Sequence, residues 1–529
     1  MELGIVLVSL VIFLSILAEK FSVKLGMPAL ILFMFIGMLF GSDGILKIPF
    51  DNFTVTKDIC SIALLFIMFY GGFNTKWKAA KPVAVKAGLL STVGVVVTAL
   101  LTAVFCYFFL DFSGAESFLI GAVLSSTDAA SVFAILRQKK LNLKDGTASL
   151  LEVESGSNDP MAYMLTVIGI GLLGSSQGTN PVVLVLSQIV LGVVWGVVFA
   201  MLAIWLLEKT RLISDGLDTI FMIAIVLLCY SLSGIFGGNQ YLSVYLMGII
   251  VGNSGINNKA TLIPFFDGVT SLSQILIFFL LGLLSFPHEM PQILWIALAI
   301  AVFLTLVARP VAVFGILMPF KCSVSQCLLV SWAGLRGAAS SVFAIMVVAG
   351  GASLSHDLFH IVFMVSLFSV AIQGTFLPAF AGKLHMVDET ADVRKTFNDY
   401  QDESAITLMR MHIPKGHSWE NKCIREVNMP TGSLAIMIKR NQETIITKGD
   451  TQVLAGDNII LSVPAYEPTE NDQLLEIQID KTHPWCGKAI ADLNIPEDEL
   501  LAMIIRDGQN LIPDGKTVIR ENDIVVTYK

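Results

Sequence analysis

Long hydrophobic runs, separated by short polar breaks, fill the first 383 residues of the chain. An α-helix needs ~20 mainly apolar residues to cross a bilayer, and several of these runs reach that length. The pattern predicts an α-helical integral membrane domain over 1–383 with about thirteen spans. Their approximate limits are 3–18, 28–41, 59–73, 82–110, 116–136, 147–173, 181–207, 217–236, 240–252, 262–284, 291–318, 324–349 and 357–382.

The pattern changes after residue 383, where short apolar stretches alternate with turn residues. Trp419 and Trp485 are 66 residues apart, and many other residues recur at this offset. An ungapped offset of this length indicates tandem domains. We predict a linker over 384–404 and two small α+β domains, 405–465 and 471–529. The recurring pairs include His417/His483, Lys422/Lys488, Asn428/Asn494, Pro430/Pro496, Arg440/Arg506, Gly449/Gly515 and Asp457/Asp523.

Charge is scarce and unevenly distributed. Charged residues make up 14% of the chain, against about 25% in an average soluble protein. Residues 1–383 hold 19 basic and 18 acidic side chains, and residues 384–529 hold 15 and 24. This excludes a single soluble globule, a disordered chain and a nucleic-acid-binding protein. The acidic tail argues against nucleic acid or anionic lipid as its main partner. The seven cysteines contain no Cys-x-x-Cys pair, so we expect reduced, packed thiols.

The basic residues of the predicted loops indicate an orientation. Loops after odd-numbered spans contain most of the lysines and arginines, whereas loops after even-numbered spans contain only Lys47 and Lys57. The positive-inside rule therefore places the odd-numbered loops and the tail in the cytoplasm, and the N-terminus outside. The first run has no basic residues before it, and Glu19 and Lys20 follow it, so we expect a retained helix and not a cleaved signal.

Two segments within the predicted fifth and twelfth spans resemble each other. Residues 127–135 and 336–345 share Ala-Ala-Ser followed by Val-Phe-Ala-Ile. Spans seven apart run in opposite senses through the bilayer. The pattern is therefore typical of an inverted repeat whose broken helices meet at the midplane, although chance similarity of small residues is the alternative. Small and hydroxyl residues suit an unwound backbone that lines an ion site.

Five ionisable residues at membrane depth are singled out: Asp128, Glu154, Asp159, Arg309 and Arg336. Each costs at least ~2.5 kcal/mol on insertion scales, so each needs a partner or a function. We predict that Glu154 pairs with Arg336 and that Arg309, which precedes a proline, stabilises a helix end. Asp128 could compensate the positive ends of half-helices. Asp159 has no cation left to neutralise it, which favours a functional role.

The predicted sixth span presents two polar stripes. Glu154 and Asn158 are four residues apart and share one helix face, and Ser155 and Asp159 share a neighbouring face. This helix therefore directs several oxygen-bearing side chains toward the interior of the bundle.

These motifs resemble those of a known family. Thr127-Asp128, Glu154 with Asn158-Asp159-Pro160, and Gly334-Leu-Arg-Gly337 look like the motifs of the monovalent cation:proton antiporters, in the NhaP/NHE branch. The resemblance covers residues 1–383. It implies a thirteen-helix fold with crossed broken helices, a homodimer, and alternating access by movement of a core domain past a dimer domain. Many relatives carry a proline where this chain has Ala129, so the first helix break should differ modestly.

The resemblance also implies roles for individual residues. Asp159 would bind the cation and the proton in turn, and Asp128, Thr127, Ser155 and Asn158 would supply ligands or order the site. Glu154 and Arg336 would form a supporting ion pair. Because relatives with Asn-Asp at this position are electroneutral, Asn158-Asp159 implies one cation per proton. Burial favours the protonated carboxyl, so a K⁺ or Na⁺ ion would compete with a proton for Asp159.

Each tail unit resembles the RCK-C (TrkA-C) regulatory domain of potassium channels and transporters, and the second unit is the closer match. The resemblance to potassium-linked domains favours K⁺ as the transported cation, with Na⁺ as the alternative. No Gly-x-Gly-x-x-Gly motif is present, so a nucleotide-binding RCK-N half is not expected. The tail would pair across a dimer and regulate transport, with a nucleotide or cyclic dinucleotide as a possible ligand, or serve only for dimerisation. The expected location is a prokaryotic inner membrane.

Two other classes of function stay open at this stage. One is a potassium channel gated by its RCK-type tail, although Ser91-Thr-Val-Gly-Val95 lacks the context of a selectivity filter. The other is a sodium-coupled solute symporter on a similar inverted-repeat fold. No catalytic triad, metal-ligand spacing or phosphate loop indicates an enzyme, and no cofactor is expected.

Overall fold

The structure is a computed structural model of the whole chain, which divides into two compact units, Met1–Tyr400 and Gln401–Lys529. The described residues are 2–25, 27–139, 141–173, 181–209, 217–256, 259–352, 354–388, 406–427, 429, 433–440, 443–464, 474–479, 485–493, 500–506, 509–511, 514–515, 517–521 and 523–528.

The first unit is mainly helical in its described parts, and three of its long helices contain a π-helical turn, at Leu90–Gly94, Leu304–Ala308 and Ser369–Gly374. Its α-helices are α1 (Glu2–Leu25), α2 (Ala29–Phe40), α3 (Phe53–Asn74), α4 (Trp77–Ala80), α5 (Ala84–Leu89), α6 (Val95–Phe109), α7 (Gly114–Leu124), α8 (Ala129–Gln138), α9 (Thr147–Leu173), α10 (Pro181–Lys209), α11 (Asp218–Ile235), α12 (Gln240–Gly252), α13 (Lys259–Leu284), α14 (Met290–Phe303), α15 (Arg309–Leu317), α16 (Val324–Trp332), α17 (Ala338–Ala349), α18 (Leu358–Phe368) and α19 (Thr375–Lys383).

The predicted helical membrane fold is confirmed in its class. Every one of the predicted hydrophobic segments overlaps helical residues. Within the described residues, seven helices are long and apolar enough to cross a membrane: 53–74, 84–109, 182–207, 218–235, 261–284, 290–320 and 358–383. A total of thirteen spans stays a prediction, because the other helices are short, interrupted or more polar.

Close helix packing uses small residues. Gly37 of α2 and Gly282 of α13 face each other, and a Cβ atom at Gly37 would lie 2.2 Å from the carbonyl oxygen of Phe279. Only glycine permits this approach, which is a common device of membrane helix pairs because it brings backbones into van der Waals contact.

Two helices are broken near their middles. The first break, Ser125–Asp128, separates α7 from α8, and the second, residues 333–337, separates α16 from α17. The breaks meet, since the backbone N–H of Asp128 donates to the carbonyl oxygen of Leu335 at 2.8 Å. The structure thus brings together the two similar segments that the sequence singled out, whereas their opposite sense through a membrane stays a prediction.

The second unit contains two antiparallel four-stranded sheets, with strand orders β1-β4-β2-β3 and β5-β8-β6-β7. The strands are β1 (Ile406–His412), β2 (Leu434–Arg440), β3 (Glu443–Ile446), β4 (Asn458–Pro464), β5 (Leu474–Gln478), β6 (Leu500–Arg506), β7 (Gln509–Leu511) and β8 (Ile524–Tyr528).

The helical content of this unit is lower than the α+β prediction implied. Among the described residues after 405, only the two 3₁₀ turns Ile424–Glu426 and Ile490–Asp492 are helical. Most of the predicted linker, from 389 onward, lies outside the described residues, as does His483. His417 is described, and its Nδ1 accepts from the backbone N–H of Trp419.

Candidate ion-binding site

The candidate site lies where α9 passes the two helix breaks. The first break is made of Ser125, Ser126, Thr127 and Asp128, whose side chains compete with the backbone for hydrogen bonds and so disfavour a continuous helix. All of these side chains except that of Asp128 are fully buried. The helix break therefore presents hydroxyls and backbone carbonyls to α9 in a region from which lipid is excluded.

Asp159 of α9 faces the first break. Its side chain is 4% exposed, and its Oδ1 accepts a hydrogen bond from the hydroxyl of Ser126. A donor on a carboxylate stabilises the ionised form, which offsets part of the cost of burying a charge. Asp159 is thus held at the break with one strong donor and room for a further ligand.

Asn158 and Ser155 attach α9 to Thr127. The Asn158 side-chain amide donates to Thr127 Oγ1 at 2.5 Å, and the Ser155 hydroxyl donates to the Thr127 carbonyl oxygen, also at 2.5 Å. The structure therefore brings Thr127, Ser155, Asn158 and Asp159 together, as the sequence motifs required. Their roles in binding an ion stay predictions.

Asp128 caps α8 and fixes the crossing of the two breaks. Its carboxylate accepts from both the backbone N–H and the hydroxyl of Ser131, which is the arrangement of an N-cap. A Cβ atom on Gly337 would lie 2.0 Å from Asp128 Oδ2. The glycine thus allows the second break to pass directly over this carboxylate. The negative charge lies at the positive end of a helix, as the sequence suggested for Asp128.

The predicted ion pair between Glu154 and Arg336 is wrong, because Glu154 pairs with Arg309. Oε2 of Glu154 accepts from Nη2 of Arg309 at 2.8 Å, and both side chains are almost fully buried. The expectation that Arg309 only stabilises a helix end fails for the same reason. The π-helical turn at Leu304–Ala308 directly precedes Arg309 and changes the direction in which the following side chains point. Sequence periodicity does not reveal such a turn.

Arg336 serves the backbone of the first break instead. Its Nη1 donates to the carbonyl oxygens of Ser125 and Ser126, at 2.9 and 2.6 Å. Its own backbone N–H donates to the hydroxyl of Ser369, which lies in a π-helical turn. Broken helices leave carbonyls without intrahelical donors, and a buried guanidinium can satisfy two of them at once.

A cavity of about 700 Å³ reaches this site and is lined by Thr127, Asp128, Ser155 and Asp159. The lining also includes Asp267 of α13, whose Oδ1 accepts from the hydroxyl of Tyr70 at 3.1 Å. The cavity gives a hydrated cation a space from which Asp159 can be reached.

The arrangement suits a monovalent cation. Carboxylate, hydroxyl and carbonyl oxygens are the ligands that hard cations prefer, and here the Asp159 carboxylate lies at a break that carries hydroxyl and carbonyl oxygens. Sequence reasoning missed Ser126, although it is adjacent to Thr127-Asp128. It also missed Asp267, an acidic residue within the predicted tenth span, and assigned Arg309 no partner.

Comparison with known protein families gives two matches. The family described as sodium/hydrogen exchanger, transmembrane, matches residues 8–383, and the TrkA-C domain matches residues 408–465 and 474–526. The first match covers most of the chain, including both helix breaks and α9.

Several curated relatives are similar over much of the chain. The K⁺/H⁺ antiporter NhaP of Alkalimonas amylolytica is 37% identical over 375 residues, which are 70% of this chain and 65% of that protein. The chain thus spans slightly less than two thirds of that relative. NhaP2, a K⁺/H⁺ antiporter of Shewanella sp. strain ANA-3, is 32% identical over 84% of this chain and 78% of its own length. The Na⁺/H⁺ antiporter NhaH of Halobacillus dabanensis is 27% identical over 73% and 92%.

A solved structure has the same fold. The sodium proton antiporter MjNhaP1 of Methanocaldococcus jannaschii superposes with a TM-score of 0.63 at 23% identity, covering 73% of this chain and 99% of that chain. This similarity supports the membrane fold alone.

Proposed function

Because the chain belongs to the sodium/hydrogen exchanger family, a family of transporters, and carries TrkA-C domains in its tail, we propose that it exchanges a monovalent cation for protons across a membrane. K⁺ is the favoured cation and Na⁺ the alternative. The cation and the proton compete for Asp159, and the protein exposes that carboxylate to each side in turn.

The observation that carries the proposal is the environment of Asp159. The side chain is buried at the junction of α9 and the first helix break, yet it lines the 700 Å³ cavity. A carboxylate there can hold a dehydrated cation with neighbouring oxygens, or a proton, but the two neutralise the same charge. If the transporting part crosses only when this charge is neutralised, the two fluxes are coupled.

The buried charges support exchange of one cation for one proton. Glu154 pairs with Arg309, whereas Arg336 donates to a backbone carbonyl of the first break and Asp128 caps α8. The two arginines offset the charge of two of the three carboxylates, which leaves one surplus negative charge among these five residues. A proton or a monovalent cation brings the site to the same net charge, so the two loaded forms cross equally well and the exchange is electroneutral.

The cavity fits an inward-facing state. Its rim includes Glu19, Lys76 and Glu152, at helix ends that the positive-inside rule assigns to the cytoplasm. A movement of the broken helices and α9 relative to α13 would close this cavity and open the other side. The protein would act as a homodimer in a prokaryotic inner membrane, with its N-terminus outside and its tail in the cytoplasm.

The tail would regulate the exchange. Its two TrkA-C domains have sheets of the same strand order, and they would respond to a small ligand such as a nucleotide or a cyclic dinucleotide. K⁺ is favoured over Na⁺ because the relatives with the higher identities, 37% and 32%, are named K⁺/H⁺ antiporters, whereas the named Na⁺/H⁺ antiporter is 27% identical.

Reconstitution tests the proposal. Proteoliposomes with a proton-sensitive dye are given K⁺, Na⁺ or Li⁺, and proton efflux is followed. We expect cation-driven proton movement with the wild type, loss of it with Asp159→Asn, and partial retention with Asp159→Glu, which keeps the carboxylate. Wild-type exchange by the Asn variant would contradict the proposal. Cation flux that proceeds without proton movement would support the channel alternative, and a requirement for an organic solute would support the symporter.

A further inference from the structure

The connection between α8 and α9 is tied to the segment that follows the last helix of the membrane unit. Leu143 of this connection and Val387 form an isolated antiparallel β-bridge. Both partners belong to the first unit, so the bridge is part of the membrane domain itself. We name the paired segments 142–144 and 386–388 the exit bridge.

Two backbone hydrogen bonds hold the exit bridge. The N–H of Lys144 donates to the carbonyl oxygen of Met386 at 2.9 Å, and the N–H of Asp388 donates to the carbonyl oxygen of Asn142 at 3.0 Å. The Lys144 ammonium adds a bond to the carbonyl oxygen of His385 at 3.1 Å. This pairing is specific in register, because each backbone group has a defined partner.

The exit bridge is anchored in the protein interior. Leu143 is 5% exposed and Met386 is 3% exposed, and both belong to one buried apolar cluster. The adjoining residues are held to the second broken helix, since Nε2 of Gln326 donates to the carbonyl oxygen of Asp145 and to Thr147 Oγ1, at 3.2 and 3.1 Å. A displacement of 386–388 would therefore be passed to packed elements and not absorbed by solvent.

The elements on either side of this connection carry the candidate site. α8 begins directly after Asp128, and α9 begins at Thr147 and carries Asp159. Asp159 lies twelve positions after Thr147, which is about 18 Å along a continuous helix at 1.5 Å per residue. Because α9 is unbroken over this length, a shift of its first turn moves the carboxylate of Asp159 relative to Ser126 and Thr127 of the first break.

The other strand of the exit bridge leads to the tail. α19 ends at Lys383, the bridge follows at 386–388, and the chain continues to β1, which begins at Ile406. Tension or release on this segment acts first on the exit bridge. We propose that the exit bridge transmits the state of the tail to Asp128 and Asp159, an inference that rests on the proposed regulation of exchange by the tail.

The tail is also connected to the candidate site through the last helix of the membrane unit, and an experiment has to distinguish this connection from the exit bridge. α19 continues the helix that contains Ser369 and Gln373; the Ser369 hydroxyl accepts from the Arg336 backbone, and the Gln373 amide donates to the Trp332 carbonyl oxygen. A test must therefore weaken the exit bridge without altering this helix. Asp388→Pro does so, because proline lacks the N–H that bonds to Asn142. Asp388→Ala keeps that N–H and is the matched control.

The experiment uses the full-length protein with a protease recognition sequence inserted between residues 390 and 405. The protein is folded and placed in everted vesicles whole, and K⁺-dependent proton movement is measured before and after cleavage and washing. The same measurement is made for Asp388→Pro and Asp388→Ala. The readout is the apparent KM for K⁺ together with the maximal rate.

Transmission through the exit bridge predicts a non-additive result. Cleavage should change the apparent KM of the wild type several-fold. The uncut Asp388→Pro variant should already have the apparent KM of the cleaved wild type within about twofold, and cleavage should not change it further. Asp388→Ala should respond to cleavage as the wild type does. A full response of Asp388→Pro to cleavage would overturn the inference and leave regulation by the tail intact. Exchange that no cleavage alters would overturn both. Equal effects of the two substitutions would assign the coupling to the carboxylate and not to the bridge.

Discussion

At the scale of single residues, the balance between a proton and a cation on Asp159 depends on its hydrogen-bond donors. The hydroxyl of Ser126 donates to Oδ1 of this buried carboxylate. A hydrogen bond to a charged group is worth roughly 1.5–3 kcal/mol. Such a donor favours the ionised carboxylate, which is the form that binds a cation, over the protonated form.

Ser126→Ala should therefore shift the competition toward the proton. Without the hydroxyl, the ionised carboxylate loses stabilisation, so we expect the apparent KM for K⁺ to rise about tenfold or more and the pH optimum to move to higher pH. Ser126→Thr keeps a hydroxyl and is the control. Dye-based exchange assays at several pH values measure both parameters. An unchanged KM in the alanine variant would show that the donor has no part in ion binding.

The two buried arginines differ in what they neutralise. Arg309 pairs with the Glu154 carboxylate, whereas Arg336 donates to backbone carbonyls of the first break. Sequence reasoning identified both arginines and Glu154 as buried, because charge is rare in apolar helices. It could not identify the pair, because the choice depends on how α9 and α15 approach each other and on the π-helical turn before Arg309.

Removal of Arg309 should destabilise the protein strongly. Breaking a buried ion pair leaves a charge without a partner, which costs about 3–5 kcal/mol. We expect Arg309→Met to lower the melting temperature in detergent, and the second substitution Glu154→Gln to restore part of the loss. Glu154→Gln added to Arg336→Met should restore nothing. If Glu154→Gln restored the melting temperature only in the Arg336→Met variant, Glu154 would pair with Arg336, as the sequence predicted.

At the scale of helices, the site depends on two breaks that pass within van der Waals distance. Asp128 caps α8 and donates its backbone N–H to Leu335, while Gly337 lies against its carboxylate. The hydrophobic pattern predicted the fifth and twelfth spans as whole segments, and their shared Ala-Ala-Ser motif indicated that they were special. The positions of the breaks follow from side-chain hydrogen bonds at Ser125–Asp128 and from the crossing itself, which is a tertiary contact.

Gly337→Ala tests this crossing. The added methyl would lie 2.0 Å from Asp128 Oδ2, so the breaks must separate or the cap of α8 must move. We expect the maximal exchange rate to fall roughly tenfold or more, because small displacements of a site group have large effects. Gly315→Ala, where the Cβ would meet nothing within 4 Å, is the matched control. Wild-type exchange by Gly337→Ala would mean that the crossing is not required.

At the scale of the whole molecule, the tail shows which structural features a sequence repeat can predict. The offset of 66 residues relates β2 to β6 residue for residue, and both sheets have the same strand order. It also relates two ion pairs, Arg440 with Asp457 and Arg506 with Asp523. The repeat predicted tandem units, and the two sheets recur at the same offset. It did not predict their low helical content, because the short apolar stretches of the tail are compatible with either a strand or a short helix.

The second ion pair should make one sheet sensitive to acid. Hydrogen bonds from Arg506 hold the pKa of Asp523 below its usual value. A carboxylate whose pKa is lowered by folding stabilises the fold above the unfolded pKa, about 3.9, and that contribution is lost as the pH falls through the lower folded value. We expect the protection of β8 amides from hydrogen exchange, taken relative to the intrinsic exchange rate at each pH, to fall below about pH 4 in the full-length protein. Asp523→Asn should show lower protection at neutral pH and little further change on acidification. A wild-type profile of protection against pH would contradict this.

The charged residues of the membrane unit differ in their partners. The hydrophobic pattern made Asp128, Glu154, Asp159, Arg309 and Arg336 visible as costly residues at membrane depth. In the structure, Glu154 pairs with Arg309, Arg336 donates to a backbone carbonyl, and Asp128 caps α8. The carboxylate of Asp159 lies on the cavity with a hydroxyl donor and no cationic partner among the described residues. A single carboxylate that must be neutralised by either a proton or a cation is sufficient for coupled exchange.

The pH dependence of the apparent KM for K⁺ measures whether protons and K⁺ compete for Asp159. Exchange is measured in proteoliposomes over a range of K⁺ concentrations at successive pH values on the cytoplasmic side. Competition for Asp159 predicts that the apparent KM rises by up to about tenfold for each pH unit on the acid side, while the rate at saturating K⁺ stays constant at every pH. A KM that is independent of pH, with a maximal rate that falls on acidification, would contradict a shared carboxylate.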